Sequence, residues 1–214
     1  MDPQVAGRLR REYESEGLLE ADMDPDPFAQ FTQWFAGVLE AGIDEPNAFV
    51  IATADSRSRP SARAVLMKEF GEQGLVFYTG LRSRKSLDIE GNPRGAATFV
   101  WTPLHRQVRF EGQMVAVPDA SADQYFATRP RGAQVAAHAS EQSRVVASRE
   151  SLERRFAELA TEFDGESIPR PQTWGGWRLV PETVEFWQGR PNRFHDRILY
   201  RRDGGGWSMQ RLAP

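Results

Sequence analysis

A possible phosphate-binding pattern lies where an apolar, strand-like run meets the start of a predicted helix. The run ends at Thr79, Gly80 permits a turn, and Ser83 is a residue type that begins helices. Arg84 and Lys85 then fall in the first helical turn, where cations are unfavourable for the helix but an anion is attracted. The spacing is neither that of a Walker loop nor that of a GxGxxG fingerprint. The pattern therefore predicts a phosphate site of another kind.

Two cations interrupt the strand-like run over residues 61–70. Arg63 and Lys68 are five residues apart, so an unbroken strand would place them on opposite faces. One face could then meet a ligand phosphate and the other a second ligand. The alternative is two solvated charges on a strand.

A phenol and a guanidinium lie four residues apart further along the chain. Tyr125 and Arg129 would therefore be neighbours on one face of a predicted helix. This pair suits a second phosphate group. The alternative is a cation–π contact at the surface.

Three basic or aromatic-nitrogen side chains alternate near the C-terminus. If the stretch is extended, Arg193, His195 and Arg197 lie on the same face. Such a row is unfavourable for folding alone, because like charges repel, but it suits an anionic or electron-rich ligand. A structural hydrogen bond is the alternative for the histidine, and the two flanking arginines favour the ligand site.

The composition excludes several kinds of chemistry. The chain of 214 residues has no cysteine and three scattered histidines, which removes thiol nucleophiles and leaves no pattern for a metal site. It contains neither an HExxH motif nor a Ser–His–Asp pattern. Chemistry carried by an aromatic, phosphorylated cofactor is therefore favoured over a side-chain nucleophile.

The charge balance and the apolar runs indicate the setting of the protein. The 27 basic and 30 acidic residues give a net charge of −3, which argues against a nucleic-acid partner. No apolar run approaches the ~20 residues that span a membrane. The polar N-terminus has no apolar region typical of a signal peptide. We expect a cytoplasmic protein.

The elements that must position these side chains are mainly strands. A helix is predicted from Asp26-Pro27 to Gly42, and another over residues 83–91. Short strand-like runs separated by turns indicate a barrel or sandwich. Strands are predicted over 48–54, 61–70, 74–79, 96–101, 107–117, 174–180, 183–188, 197–202 and 207–212. Three further helices are predicted over 121–128, 133–140 and 148–163.

Taken together and in order, ten short segments resemble the pyridoxine/pyridoxamine 5′-phosphate oxidase family. The resemblance covers most of residues 8–214. The segments are RREY (10–13), RAVLMK (63–68), FYTGLRSRK (77–85), RQVRFEG (106–112), YFATRPR (125–131), SEQS (140–143), WGGWR (174–178), VEFWQG (184–189), RFHDR (193–197) and RLAP (211–214).

The resemblance implies an α+β, mainly β fold, the FMN-binding split β-barrel with peripheral helices. It also implies a homodimer with FMN at the subunit interface. Residues 1–24 would form a flexible arm able to close over the substrate, and residues 25–214 a single FMN-binding domain.

The same resemblance implies residue roles. Arg84 and Lys85 would hold the flavin phosphate, Arg193 and His195 would act catalytically on the substrate ring, and no metal would be bound. The FMN contacts would be Arg63, Ala64, Val65, Leu66, Met67, Lys68, Tyr78, Thr79, Arg84, Lys85, Gln107, Gln142, Ser143, Trp187 and Arg197. The substrate contacts would be Arg10, Arg11, Glu12, Tyr13, Lys68, Tyr125, Arg129, Arg193, Phe194 and His195.

The implied activity is oxidation of pyridoxine or pyridoxamine 5′-phosphate to pyridoxal 5′-phosphate. Hydride would pass to the flavin, and oxygen would reoxidise the flavin to give hydrogen peroxide. One alternative is a phenazine-pathway flavin oxidase of the same fold. Another is a flavin- or pyridoxal-phosphate-binding protein without turnover.

Three positions depart from the family pattern. Ala133 stands where serine is usual, and it cannot donate a hydrogen bond to a substrate phosphate. His138 stands where tryptophan is expected, and Phe194 where leucine is usual. These departures bear on the affinity for substrate and leave the predicted FMN site intact.

Overall fold

The computed structural model describes residues 17–214, and these residues form a mainly β structure, as predicted. The strands are β1 (Ala48–Ala54), β2 (Pro60–Leu66), β3 (Glu69–Gly71), β4 (Gly74–Gly80), β5 (Arg94–Trp101), β6 (Arg106–Ala116), β7 (Trp174–Gln188), β8 (Asp196–Asp203) and β9 (Gly206–Leu212). The α-helices are α1 (Pro27–Glu40), α2 (Arg84–Gly91), α3 (Asp119–Ala127), α4 (Arg131–Ala139) and α5 (Arg149–Glu162). None of these helices is long and apolar enough to cross a membrane.

The strands follow the order β2-β1-β5-β6-β7-β4-β3, and β8 pairs with both β7 and β9. The chain divides into two compact units. Among the described residues, the terminal unit contains residues 17–48 together with Thr98–Glu111 and Pro181–Pro214. The central unit contains Phe49–Ala97 and Gly112–Val180.

Helix α1 supplies the apolar centre of the terminal unit. It begins at Pro27 as predicted, and the side chain of Asp26 accepts a hydrogen bond from the Phe28 amide at 3.1 Å. Phe31 is fully buried, with its ring 5.1 Å from Phe99 and 5.2 Å from Phe110. Aromatic packing thus fixes the helix against the strands of this unit.

The central unit buries two sets of apolar side chains. In β4 the run Leu75–Phe77 is almost completely buried. A second cluster lies beneath the helices and consists of Phe126, Val135, Leu159, Ile168 and Trp174. Strand β4 pairs antiparallel with β7, so that Tyr78 lies opposite Gly176. A Cβ at Gly176 would lie 2.8 Å from the Tyr78 ring, so the glycine is what permits this ring position.

Two strand predictions need correction. The run over 61–70 is broken, because β2 ends at Leu66 and β3 begins at Glu69. The side chain of Met67 between them is buried, and the Lys68 amide donates to the Val76 carbonyl at 2.8 Å. Arg63 and Lys68 therefore do not share an unbroken strand, and the argument from opposite faces was wrong.

The second correction concerns the strands predicted over 174–180 and 183–188, which form the single strand β7. This strand pairs with β4 over Trp174–Leu179 and with β8 over Thr183–Gln188. Pro181 lies between these two ladders, so its missing N–H removes no hydrogen bond from either.

Candidate functional site

The central unit contains a cavity of about 910 Å³. Six lysine and arginine residues line it. Glu141 is the one residue with a carboxylate among its described lining residues. Such a lining attracts an anion. The predicted site residues that it brings together are Arg63, Ala64, Val65, Leu66, Lys68, Tyr78, Thr79, Lys85, Tyr125, Arg129 and Gln142.

Lys85 is the most buried cation of this lining. It lies in the first turn of α2, which begins after Ser83 as predicted, and it is 7% exposed. Its Nζ donates to Thr79 Oγ1 at 2.9 Å, to Gln142 Oε1 at 3.1 Å and to Ser83 Oγ at 3.3 Å. All three acceptors are neutral. Burial, and then the charge of Arg63, lower the pKa of Lys85 to about 8.

Arg63 supplies a second cation close to Lys85. Its Nη2 donates to Ser61 Oγ at 2.7 Å, and its Nη1 donates to the Ile51 carbonyl at 3.3 Å. Burial lowers the pKa of Arg63, an effect that Asp88 opposes. Two cations thus approach each other beneath one cavity wall, which is unfavourable unless an anion binds there.

A third cation, Arg129, lies among aromatic rings. Its Cζ is 4.6 Å from the Trp174 ring centroid, and Tyr125 stacks on Tyr78 with centroids 4.1 Å apart. Arg129 Nη1 is buried and has no hydrogen-bond partner in the described chain. Burial lowers the pKa of Arg129. A buried donor without an acceptor costs free energy, so this geometry suits an anionic ligand.

The predicted helical pairing of Tyr125 with Arg129 was only partly right. Helix α3 ends at Ala127, and Arg129 follows it with its amide donating to the Phe126 carbonyl at 3.1 Å. Both side chains nevertheless line the cavity. The bond to the Phe126 carbonyl holds the backbone of Arg129 in place after the helix has ended.

Several predicted flavin contacts lie elsewhere. Met67 is buried and does not line the cavity. Arg84 and Ser143 line a neighbouring concavity of about 500 Å³, and Arg82 and Arg144 line both spaces. The residues Arg10, Arg11, Glu12 and Tyr13 lie outside the described part of the chain. Gln107, Trp187, Arg193, Phe194, His195 and Arg197 belong to the terminal unit.

In the terminal unit the row of Arg193, His195 and Arg197 is not extended, contrary to the prediction. Pro191–Arg193 forms a 3₁₀ turn, with positive φ values of 57° at Asn192 and 61° at Arg193. Asparagine tolerates this left-handed conformation better than most residues. Strand β8 starts only at Asp196, so Arg197 alone of the three is in a strand.

His195 is held as a neutral ring. Its Nδ1 accepts a hydrogen bond from the Arg190 amide at 3.1 Å, and its ring lies 4.7 Å from that of Trp187. Burial, and then the charge of Arg193, lower the pKa of His195 against the opposing effect of Asp196. These effects favour the neutral imidazole, and because Nδ1 accepts, the neutral ring carries its proton on Nε2.

The sequence reasoning missed two buried carboxylates that hold predicted site arginines. Glu185 Oε1 accepts from Arg197 Nε at 2.7 Å, and its Oε2 accepts from Arg109 Nη2 at 2.7 Å. Asp88 lies near Arg63 with a separation of 3.7 Å. A charged residue inside an otherwise apolar strand, as in VEFW, was the available signal for Glu185.

Two of the departures from the family pattern lie on the cavity. Ala133 and His138 both line it. His138 Nε2 is 2.7 Å from the Pro169 carbonyl, and its ring lies 5.0 Å from that of Phe163. Phe194, the third departure, is 76% exposed.

Solved structures match this fold over nearly the whole chain. One is PhzG from Burkholderia lata 383, in complex with tetrahydrophenazine-1-carboxylic acid, at 29% identity and a TM-score of 0.88, covering 94% of this chain and 100% of that one. Another is a pyridoxamine 5′-phosphate oxidase-related, FMN-binding protein from Nostoc punctiforme PCC 73102, at 17% identity and a TM-score of 0.69, covering 90% and 100%. The fold is thus that of the flavin-binding split-barrel proteins, as predicted.

The sequence matches narrow this class to one family. Residues 35–163 match the family model described as pyridoxamine 5′-phosphate oxidase, and residues 174–214 match the pyridoxine 5′-phosphate oxidase C-terminal dimerisation region. Pyridoxine/pyridoxamine 5′-phosphate oxidases from Rubrobacter xylanophilus and Paraburkholderia phymatum are 56% and 49% identical, each over 96% of this chain and 95% and 97% of their own. The chain belongs to the pyridoxine/pyridoxamine 5′-phosphate oxidase family. The predictions of an oxidoreductase and of a flavin cofactor are confirmed with it.

Proposed function

We propose that this protein oxidises pyridoxine 5′-phosphate and pyridoxamine 5′-phosphate to pyridoxal 5′-phosphate, with FMN as its flavin. Oxygen is the proposed electron acceptor and hydrogen peroxide the second product. The observation that carries the proposal is the cavity that Arg129, Lys85 and Arg63 line together, where Arg129 Nη1 is buried without a hydrogen-bond partner in the described chain. Cations on separate elements suit two phosphates, one from the flavin and one from the substrate.

The residues of the cavity fit FMN. Within residues 17–214 Lys85 donates to neutral acceptors, so a phosphate would give its ammonium a negatively charged partner. Arg84, beside it, starts the same helix, whose amides favour an anion. When bound, the flavin supplies a hydride acceptor. The remaining flavin contacts named from the resemblance stay predictions.

The chain's own residues would bind and orient the substrate. Arg129, Lys68 and Tyr125 are proposed to hold its phosphate. Arg193 and His195 are proposed to contact the pyridine ring, with the neutral imidazole donating from Nε2. Holding the ring in a fixed position lowers the entropic cost of hydride transfer.

The deciding experiment is an aerobic assay of the purified chain with added FMN. Pyridoxal 5′-phosphate and peroxide should form in equal amounts from the two phosphorylated substrates. Unphosphorylated pyridoxine and pyridoxamine should react at least ~10-fold less efficiently, because a charge-assisted contact is lost. Binding of FMN without any turnover would instead support a carrier protein.

A phenazine-pathway oxidase is the second candidate, favoured by the likeness to PhzG at 29% identity. The tetrahydrophenazine-1-carboxylic acid in that structure carries a carboxylate and no phosphate, so the carboxylate would take the place proposed here for the substrate phosphate beside Arg129. The same assay should include this compound as a substrate. If the protein oxidised this compound faster than pyridoxine or pyridoxamine 5′-phosphate, the phenazine-pathway activity would replace the proposed one.

We expect the protein to be a homodimer. The observation behind this expectation is that residues 174–214 match a family model described as a C-terminal dimerisation region. Light scattering should give a mass twice the 24.2 kDa of the chain. A fully active species of single-chain mass would contradict the prediction.

Flavin binding should weaken as Lys85 loses its proton. Because the Lys85 pKa is about 8 and a phosphate dianion binds the ammonium form, the logarithm of the FMN association constant should be level below that pH. Above it, the constant should fall by up to ~10-fold per pH unit, since binding then requires uptake of a proton. Fluorescence titrations between pH 6.5 and 9.5 measure this dependence.

The matched variants for this prediction are Lys85→Arg and Lys85→Ala. Arginine stays charged over the whole range, so K85R should give a level profile. K85A should bind FMN at least ~10-fold more weakly below pH 8, because it lacks the charged contact, and the difference should shrink above pH 8 as Lys85 of the unaltered chain loses its proton. A K85R profile that falls in parallel with that of the unaltered chain would show that another group titrates.

A further inference from the structure

The Arg63 guanidinium is held by a buried chain of hydrogen bonds. Its Nη1 donates to Thr53 Oγ1 at 2.8 Å, and the Thr53 hydroxyl lies 2.7 Å from Asp88 Oδ2. Thr53 is 3% exposed and Asp88 is 5% exposed, whereas the Arg63 side chain is 21% exposed and lines the cavity. These hydrogen bonds thus connect a buried carboxylate to a cation at the cavity wall.

The direction of these hydrogen bonds is fixed by chemistry. An ionised Asp88 can only accept and Arg63 can only donate, so the single hydroxyl proton of Thr53 must point to Asp88. The lone pairs of Thr53 Oγ1 are then directed to Arg63. The Arg63 Nη2 to Asp88 Oδ2 separation is 3.7 Å, which is too long for a hydrogen bond. Asp88 therefore reaches Arg63 by hydrogen bonds only through Thr53, and its charge acts on Arg63 directly across the 3.7 Å.

We propose that Thr53 and Asp88 are positioning residues that orient Arg63 toward the flavin phosphate. This inference rests on the proposed function, because it takes the anion at this wall of the cavity to be that of FMN. The position of Arg63 relative to Lys85 supports it, since the charge of one is close enough to lower the pKa of the other. Without these hydrogen bonds, the contacts of Arg63 with Ser61 Oγ and the Ile51 carbonyl would remain, but the guanidinium could turn further from its like-charged neighbour and from the phosphate.

The experiment compares the affinities of the full-length chain for FMN and for riboflavin, which has no phosphate. The unaltered chain should prefer FMN. Thr53→Val keeps the shape of the side chain and removes the hydroxyl, and it should weaken FMN binding by ~10-fold through a lost charge-assisted arrangement. Riboflavin affinity should stay within about twofold, since the phosphate alone is affected. Thr53→Ser restores the hydroxyl and should restore the preference.

A second pair of variants tests the carboxylate, and it carries the test alone if T53V does not fold. Asp88→Asn retains an oxygen that accepts from Thr53 and should keep the FMN preference. Asp88→Leu removes the acceptor and should lose as much of the preference for FMN over riboflavin as T53V does. The double variant T53V/D88L should bind FMN no more weakly than either single variant, because Thr53 and Asp88 act through the same series of hydrogen bonds.

Three outcomes would overturn the proposal, each for a different reason. If the unaltered chain binds riboflavin as tightly as FMN, the flavin-phosphate site itself is wrong and the positioning role falls with it. If the unaltered chain prefers FMN and both T53V and D88L keep that preference, only the positioning role is wrong. Equal weakening of FMN and riboflavin in T53V, with no rescue in T53S, would mean that Thr53 merely supports the fold.

Discussion

Replacing Arg193 by leucine is expected to slow reduction of the bound flavin by substrate at least ~10²-fold, the scale of a lost positioning or electrostatic contact. The flavin should stay bound. Arg193 is exposed and lies in the turn before β8 of the terminal unit, whereas the cavity cations belong to the central unit. Loss of Arg193 should therefore disturb the orientation of the substrate ring and should not weaken binding at the proposed phosphate sites.

The backbone conformation and the charge of Arg193 both support a functional role for this residue. Its φ of 61° places a residue other than glycine in the left-handed region, which costs conformational energy. Its charge also lowers the pKa of His195 and so helps to keep that imidazole neutral. Arg193 is thus expected both to contact the ring and to maintain the protonation state of His195.

Anaerobic stopped-flow spectroscopy separates flavin reduction from reoxidation and measures the effect directly. Arg201→Leu is the matched control, because it removes a positive charge that is also exposed, from β8 of the same unit. R201L should reduce its flavin at the normal rate. Normal reduction in R193L as well would make Arg193 a structural residue and would favour the structural hydrogen bond for His195.

Local patterns predicted the parts of the site that depend on neighbouring residues. The helix start at Ser83, with Arg84 and Lys85 in its first turn, follows from turn and capping preferences that operate over a few positions. The alternating row of Arg193, His195 and Arg197 failed because alternation implies one face only where the backbone is extended. Pro191–Arg193 forms a 3₁₀ turn instead.

Contacts between distant segments lay beyond such patterns. Gln142 accepts from Thr79 Oγ1 at 2.7 Å although 63 residues separate them, and only the family resemblance had named both. Thr53 stands in an apolar run and Asp88 lies in α2 after its first turn. No pattern among neighbouring residues therefore marks either position as part of a site. Burial of a polar residue is decided by tertiary packing, which a single sequence does not display.

The second large effect is expected at Arg129, where function and stability should change in opposite directions. Arg129→Met should raise the KM for pyridoxine 5′-phosphate by ~10–10²-fold, because the substrate phosphate loses a charge-assisted contact. It should also remove most of the preference for phosphorylated over unphosphorylated substrate. FMN affinity should not change, since Lys85 and Arg84 remain.

The same variant should stabilise the substrate-free protein. Arg129 Nη1 is a buried donor without a partner in the described chain, and such a group costs ~1–3 kcal/mol. Methionine would fill the space beside Trp174 and Phe126 with apolar atoms and remove that cost. The melting temperature should rise by a few degrees. A residue that weakens the fold and strengthens ligand binding is expected at a functional site.

Arg131→Met is the matched control, because Arg131 donates to the carbonyls of Phe163 and Glu166 and does not line the cavity. R131M should lower the melting temperature and leave the KM unchanged, the reverse of R129M. Thermal unfolding and steady-state kinetics on the two variants decide the matter. If R129M lowered the melting temperature and kept the substrate preference, Arg129 would be a structural cation of the aromatic cluster. The substrate phosphate would then have to bind elsewhere.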